Sequence, residues 1–480
     1  MIMNVGFVSL GCSKNLVDTE MIIGLFKNNN YNIVNDPMQA EVIVVNTCGF
    51  IESAKQEAID TILEMAEYKE KHKCKYLIAT GCLVERYKSE LEKQLPEVDM
   101  FISIKEYENM WEKISKLISK EDKKTTNIEC CTLEYENRIV TTGTKTAYLK
   151  IAEGCSNRCT YCAIPYIRGA YVSRTMEDIL KEAKKLADSG IEELIVIAQD
   201  TTKYGIDIYG ESKLAELLQK ISDIKGIKWI RFLYAYPESI TTELIELVKT
   251  NPKVCKYFDI PLQHISDSVL KRMNRKSNSE SIKMLIKLIR FEIPNVVIRT
   301  SLIVGFPGET EEDFKELLDF VSETEFDKLG VFMYSKEDGT PAEKLPNQVP
   351  SSTKKKRYNL VMKTQKQISK QKMTAHLKKV YEVLVENSTF DNKYYVGRTA
   401  MDVPDMDGVV FVKKDINEDI TGKFVNVEIT DIEDYDLIGR VKSSIELALD
   451  EADLESETTS VRYTHDEVFS KIRGAINGKK

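Results

Sequence analysis

Histidine is scarce in this chain. Four occur in 480 residues, His72, His264, His376 and His465, and no two lie close in sequence. The paired helical histidines of a zinc hydrolase are therefore excluded. No apolar run approaches the length of a membrane span, about 18 residues or more, so no transmembrane helix and no membrane partner are expected. The opening stretch, "MIMNVGFVSLGC", lacks a basic segment and a small-residue cleavage site. It reads as a first β-strand, not a signal peptide. A basic surplus is lacking too: 68 Lys and Arg stand against 76 Asp and Glu, for a net charge of −8. That gives no global attraction to nucleic acid, and such a role would need a local basic patch. Ten cysteines without an export signal fit a reducing, cytoplasmic compartment. There they read as metal ligands, catalytic thiols or core residues, not disulfides.

What is present is an α/β pattern in several blocks. Residues 1–116 alternate apolar strands ("NVGFVSLGC", "AEVIVVNTCGF", "CKYLIATGC") with amphipathic helices. Continuously apolar strands between helices predict a doubly wound parallel sheet. Residues 117–140 are polar and irregular and read as a linker. Residues 141–372 carry six strand candidates, from "TAYLKIAEGC" to "KLGVFMYS", with helices between them. Six βα units are too few for a closed eightfold barrel and predict an open, partial one. Residues 373–441 break into short strands and predict a small all-β barrel. Residues 442–480 are polar, acidic and then helical in texture, and no fold is assigned to them.

Cys155, Cys159 and Cys162 lie in "EGCSNRCTYCAIP". The spacing CxxxCxxC brings three soft thiolates together, directly after a predicted strand and so at the carboxyl edge of the barrel. Zinc with a distant fourth ligand is the plain alternative, although zinc knuckles usually use CxxC pairs. Three protein ligands on a four-iron cluster leave one iron open to a small molecule. Cys12, Cys48 and Cys82 form a second set, each closing a predicted strand of the first block. Parallel strands end on one edge, so these thiols can converge although 36 and 34 residues separate them. Three small buried core residues would be the plain reading. Cys74, Cys130, Cys131 and Cys255 do not follow either pattern and read as non-ligands.

CxxxCxxC after the first strand of a six-unit series resembles the radical S-adenosylmethionine superfamily. The resemblance implies a [4Fe-4S] cluster on Cys155, Cys159 and Cys162 that binds and cleaves S-adenosylmethionine. Tyr161 matches the aromatic residue near the adenine. "SLIVGFPGE", Ser301 to Glu309, resembles the late-strand motif, which implies cofactor contacts from Gly305, Pro307 and Gly308. The superfamily's Gly-Gly-Glu after the second strand is absent; "IAQDTT" stands there, so Gln199 and Asp200 are expected in its place. With the second triad and the terminal barrel, residues 4–441 resemble the methylthiotransferase family. That resemblance implies a transferase with two [4Fe-4S] clusters, the second on Cys12, Cys48 and Cys82, and with a TRAM domain as its barrel. It also implies an electron donor such as flavodoxin or ferredoxin, and nothing demands more than a monomer.

The family divides between N6-modified adenosines of tRNA and an aspartate of ribosomal protein S12, modified at its β-carbon. Residues 376–441 hold eight Lys and Arg against fourteen Asp and Glu. A domain that grips RNA should be basic, because phosphate neutralisation dominates such affinity. An acidic one suits a basic ribosomal protein. "NTCGFIESAKQEAID", "CAIPYIRGAYVSR", "PLQHISDSVLKRM" and "DYDLIGRV" also resemble the S12 branch. The run 354–372 has eight cations and no acid. It is either a solvated helix face or a contact to ribosomal RNA.

Overall fold

The computed structural model describes residues 2–119, 133–143, 145–415, 418–458 and 464–477. They divide into two compact units, Met1–Thr364 and Gln365–Lys480.

The first unit begins with five parallel strands: β1 (Asn4–Ser9), β2 (Asn32–Ile33), β3 (Val42–Thr47), β4 (Tyr76–Gly81) and β5 (Met100–Ile102). Their order across the sheet is β2-β1-β3-β4-β5. Alternate residues of β3 serve opposite cores. Val42 and Val44 pack with Phe26, Tyr76 and Trp111, while Ile43 and Val45 pack with Ile62, Leu77 and Leu83. Helices cover both faces, which is why these strands read as unbroken apolar runs. The two strands that the sequence reading omits, β2 and β5, are only two and three residues long.

Six parallel strands follow: β6 (Thr146–Lys150), β9 (Glu193–Ile197), β10 (Trp229–Phe232), β11 (Tyr257–Gln263), β12 (Val297–Val304) and β13 (Lys328–Met333). They form two sheets, β10-β9-β6 and β11-β12-β13. Cys255 N–H donates to Ile230 O at 2.9 Å and ties the approach to β11 onto β10. The strands thus run in chain order as a partial barrel. A short hairpin, β7 (Ala152–Glu153) and β8 (Val172–Ser173), leaves the end of β6. Among the described residues no helix is long and apolar enough to cross a membrane.

The second unit holds a closed five-stranded barrel of β14 (Val380–Ser388), β15 (Tyr394–Thr399), β16 (Val410–Lys413), β17 (Phe424–Glu433) and β18 (Asp436–Val441). Val383, Val385, Val410, Val427 and Ile429 fill it. "DYDLIGRV" forms the β17–β18 turn and β18, with Asp434 in the left-handed region at φ 41°. Nine of the fourteen acids are exposed, against five of the eight cations, and Arg398 is buried against Glu386 at 2.6 Å. The tail forms two helices, Ser444–Thr458 and His465–Asn477.

Part of the expected linker lies outside the described residues, with Cys130 and Cys131. Its described end is firmly held. Arg138 is buried between Glu20 and Glu182, and Glu20 accepts from Thr141 N–H at 2.6 Å.

Candidate active site between two cysteine triads

Cys12, Cys48 and Cys82 stand just beyond β1, β3 and β4, which are neighbours in the sheet. Local chemistry draws their loops together. Gly11 has φ 89°, and a side chain there would meet Cys48 Sγ at 2.9 Å. Asn15 Nδ2 donates to Leu10 O at 2.6 Å, and Asn46 Nδ2 returns a bond to Asn15 O at 2.9 Å. Cys12 is exposed, Cys48 half-buried and Cys82 buried.

Cys155, Cys159 and Cys162 lie in the loop enclosed by β7 and β8. Gly154 has φ 73°, and a Cβ would sit 2.0 Å from Ala170 O, so only glycine fits before the first ligand candidate. Cys155 N–H donates to Gly169 O at 3.1 Å, and Thr160 is bonded to Met273, Arg272 and Ala342. Cys159 Sγ faces Tyr236 Oη at 3.9 Å and Arg275 Nη1 at 4.0 Å.

The two triads share a seam. Cys82 packs on Ala163, the neighbour of Cys162, and on Ile167. Arg168 Nη2 donates to Cys82 Sγ at 3.4 Å and to Asn15 Oδ1 at 3.2 Å. Its Nη1 meets Asp18 Oδ2 at 2.6 Å and Glu153 Oε2 at 3.1 Å. Lys150 joins the same two carboxylates. Burial works to raise the Glu153 pKa, but Lys150 and Arg168 outweigh it and hold the carboxyl well below its usual range. Tyr234 and Tyr236, two residues apart after β10, reach both sides. Tyr236 meets Cys159, while the Tyr234 ring lies under Lys14 Nζ at 3.1 Å.

The other expected cofactor residues are placed as follows. Tyr161 packs edge-on against Phe306, centroids 6.4 Å apart. Gln199 Nε2 donates to Glu153 Oε1 at 3.1 Å, and its buried Oε1 has no partner among the described residues. Asp200 is buried and bonded to Asn157 at 2.8 Å and to Thr202 at 2.5 Å. In "GFPGE" the backbone N–H groups turn inward. Gly305 and Phe306 donate to Glu309 Oε2 at 2.6 and 3.0 Å, and Gly308 donates to Asn347 O at 2.9 Å. Arg357 closes this turn on Glu309 at 2.9 Å. Pro307 lies between the two glycines of that turn.

The thiols suit a metal group. Burial pushes the Cys82 thiol up to about 11 and raises Cys48, Cys155 and Cys162 as well. Ionising them requires compensating positive charge, which iron supplies on binding. Arg168 and Arg275 already aim N–H groups at one sulfur of each triad. Among the described residues no three His, Cys, Asp or Glu side chains converge as a single-ion site would require. The orphaned Gln199 Oε1 adds an unused acceptor beside this seam.

Lys14, Asp18, Arg168, Tyr234 and Tyr236 were not singled out by sequence. The available signal is a charged or aromatic residue beside a cysteine, as in "GCSKN", or at a strand end, as in "LYAYP".

Fold and site define a radical S-adenosylmethionine enzyme. Three family models match: the radical SAM superfamily over residues 149–321, the uncharacterized protein family UPF0004 over 4–103, and the TRAM domain over 379–441. A ribosomal protein uS12 methylthiotransferase RimO of Alkaliphilus oremlandii is 62% identical over 92% of this chain and 99% of its own. Proteins of the same description from Acetivibrio thermocellus and Clostridioides difficile are 52% and 50% identical, over 91% and 92% of this chain and 98% and 99% of theirs. The chain belongs to the ribosomal protein uS12 methylthiotransferase family. Among solved structures, the radical S-adenosylmethionine methyltransferase TsrM of Kitasatospora setae superposes with a TM-score of 0.53 at 13% identity, over 71% of this chain and 75% of that one. It shares the fold.

Proposed function

We propose that this chain methylthiolates the β-carbon of an aspartate in ribosomal protein S12. Cys155, Cys159 and Cys162 hold one [4Fe-4S] cluster and bind S-adenosylmethionine at its open iron; Cys12, Cys48 and Cys82 hold a second. The observation that carries the reading is the shared seam, with Cys82 packed on Ala163 beside Cys162. When bound, these groups supply one-electron chemistry that removes hydrogen from an unactivated C–H bond, and the CH3–S group that replaces it. The protein supplies position and electrostatics. Arg168 and Arg275 offset the charge of thiolates, and the Asp18–Lys150–Glu153 network fixes Arg168. Gln199, held on Glu153, has an unused side-chain oxygen that would be available to the cofactor.

Tyr161, Gly305, Pro307 and Gly308 are the adenine-side contacts in this reading. The domains follow the ranges 1–116, 141–372 and 373–441, with 117–140 between the first two and 442–480 as a tail. A cytoplasmic monomer served by flavodoxin or ferredoxin fits this oxygen-sensitive chemistry. Within 354–372, Arg357 is buried, Lys354 lies over Tyr334 and the exposed Lys366 meets Asp434 at 3.0 Å, whereas Lys355, Lys356, Lys363 and Lys370 are exposed with no ion pair among the described residues. Those exposed lysines are the ones available to ribosomal RNA.

Mass spectrometry of a deletion strain tests the reading. S12 should lose the added methylthio mass, about 46 Da for CH2S, and digested tRNA should not. Loss on tRNA alone overturns it. Anaerobic reconstitution should give two four-iron clusters and release 5′-deoxyadenosine; zinc without cofactor cleavage would count against it.

A further inference from the structure

Ten lysines and arginines among the described residues are buried: Lys14, Lys55, Arg138, Lys150, Arg168, Arg231, Arg275, Arg357, Arg398 and Lys442. Eight of them pair with a carboxylate. Lys14 and Arg275 are the two that form no such pair among the described residues, and each stands beside a triad. Arg275 has the Cys159 thiol within 4.0 Å, the Pro261 carbonyl at 2.9 Å and the Tyr236 ring. Among the described residues Lys14 has the face of Tyr234, 3.1 Å from its centroid, and no carboxylate. A ring face stabilises an ammonium but does not neutralise it. A buried cation without an anion is costly, so such groups are normally paired.

The backbone is shaped to keep this arrangement. Tyr234 has φ 62°, a left-handed conformation that is strained for a bulky residue. Its N–H donates to Asp259 Oδ2 at 3.0 Å, and its carbonyl accepts from Thr201 N–H at 3.2 Å. The strained ring is thereby held under Lys14, two residues from Cys12, while Tyr236 stands at Cys159. Lys14 is thus tied through Tyr234 to the segment whose Tyr236 meets Cys159, and through the chain to Cys12.

We propose that Lys14 is the receptor for the carboxylate of the aspartate to be modified. This rests on the reading that an S12 aspartate is the substrate. The reacting β-carbon is bonded directly to the carboxylate carbon. Holding the carboxylate on Lys14 therefore fixes the β-carbon one bond from the anchored group. A neutral side chain of the same shape would leave the ammonium unpaired, so the site rejects it.

The test measures binding of S12, and of S12 with its target aspartate changed to asparagine, to the reconstituted holoenzyme and its Lys14→Met and Lys14→Gln variants. The wild type should bind the asparagine form about thirtyfold more weakly, the scale of a buried ion pair losing a partner. Both variants should bind the two forms alike, with iron content and cluster electron-spin spectra as in the wild type. Lys14→Arg should restore part of the discrimination. Variants that discriminate as the wild type does overturn the assignment. So do altered cluster spectra with undiminished S12 binding, which would place Lys14 in the service of the metal. A wild type that neither binds nor methylthiolates S12 refutes the underlying reading instead.

Discussion

Replacing Asp18 by asparagine should cost the protein about 3–5 kcal/mol of stability, the penalty for breaking a buried ion pair from one side. Asp18 is 3% exposed. It serves two cations, Lys150 on one oxygen and Arg168 on the other at 2.6 Å. Glu153 is the second anion, 2.9 Å from Lys150 and 3.1 Å from Arg168. Two charges of each sign balance. Asparagine keeps the volume and one acceptor but leaves two buried cations to one carboxylate. If the cluster behaved as surface pairs do, the loss would be about 1 kcal/mol or less. Urea unfolding separates these values. The loss should also persist from low to high salt, because buried charges are poorly screened. In a Lys150→Met background the same change should cost clearly less, since the cation it strands is gone. A loss below about 1 kcal/mol, or strict additivity of the two changes, would refute the account.

Other perturbations have definite signs. Burial depresses the His264 pKa to about 3. The unfolded state takes up a proton near pH 6.5 and the folded state does not, so stability is present above that pH and is lost as pH falls from about 6.5 towards 3. From pH 7 to 5 this contributes a loss of about 2 kcal/mol. His264→Asn, whose side-chain oxygen can still accept from Ser266 N–H, should flatten that part of the pH–stability curve; an unchanged slope would be contrary evidence. Gly154→Ala drives a Cβ to within 2.0 Å of Ala170 O. It should lower iron content after reconstitution to about that of a Cys155→Ala variant, and full iron loading would contradict the close-approach argument. Arg168→Lys keeps the charge but not the fork that reaches Cys82. It should shift downward the potential of the cluster proposed at Cys82 in an electron-spin-monitored titration, because N–H···S bonds favour the reduced state. No shift would remove Arg168 from that role.

The strands were legible because each is local: an apolar run announces a doubly covered strand. CxxxCxxC likewise places three thiols in one loop within eight residues, and the structure sets that loop between β7 and β8. Cys12, Cys48 and Cys82 were legible one step further, because parallel strands end on one edge. The seam was not legible. Asp18 and Arg168 are 150 positions apart, and Glu20 and Arg138 are 118 apart. Each alone looks like an ordinary charge on a helix or in a loop; only the packing of the sheet domain on the partial barrel makes them partners. Within the basic run 354–372 the sequence does not tell one cation from another, and Arg357 is held inside by Glu309 and Glu311. Strands β2 and β5 escaped because two or three residues carry no period to detect.

Charge in this chain answers two demands of opposite sign. A basic ribosomal protein is drawn by negative charge, and the exposed surface of the barrel Val380–Val441 supplies it. The residue to be modified is itself an acid, and a negative site would repel it at the moment of reaction. The chain meets this by placing an acidic surplus on the surface of the barrel and, beside Cys12, a buried lysine with no carboxylate partner among the described residues. The first effect acts over about a Debye length and weakens with salt. The second acts at contact, in a place with little water, and is screened far less. Capture should therefore be salt-sensitive while the choice of aspartate over asparagine is not. A site that selected by charge at long range alone could not separate the two, because an S12 molecule with or without one carboxylate looks nearly the same from a distance.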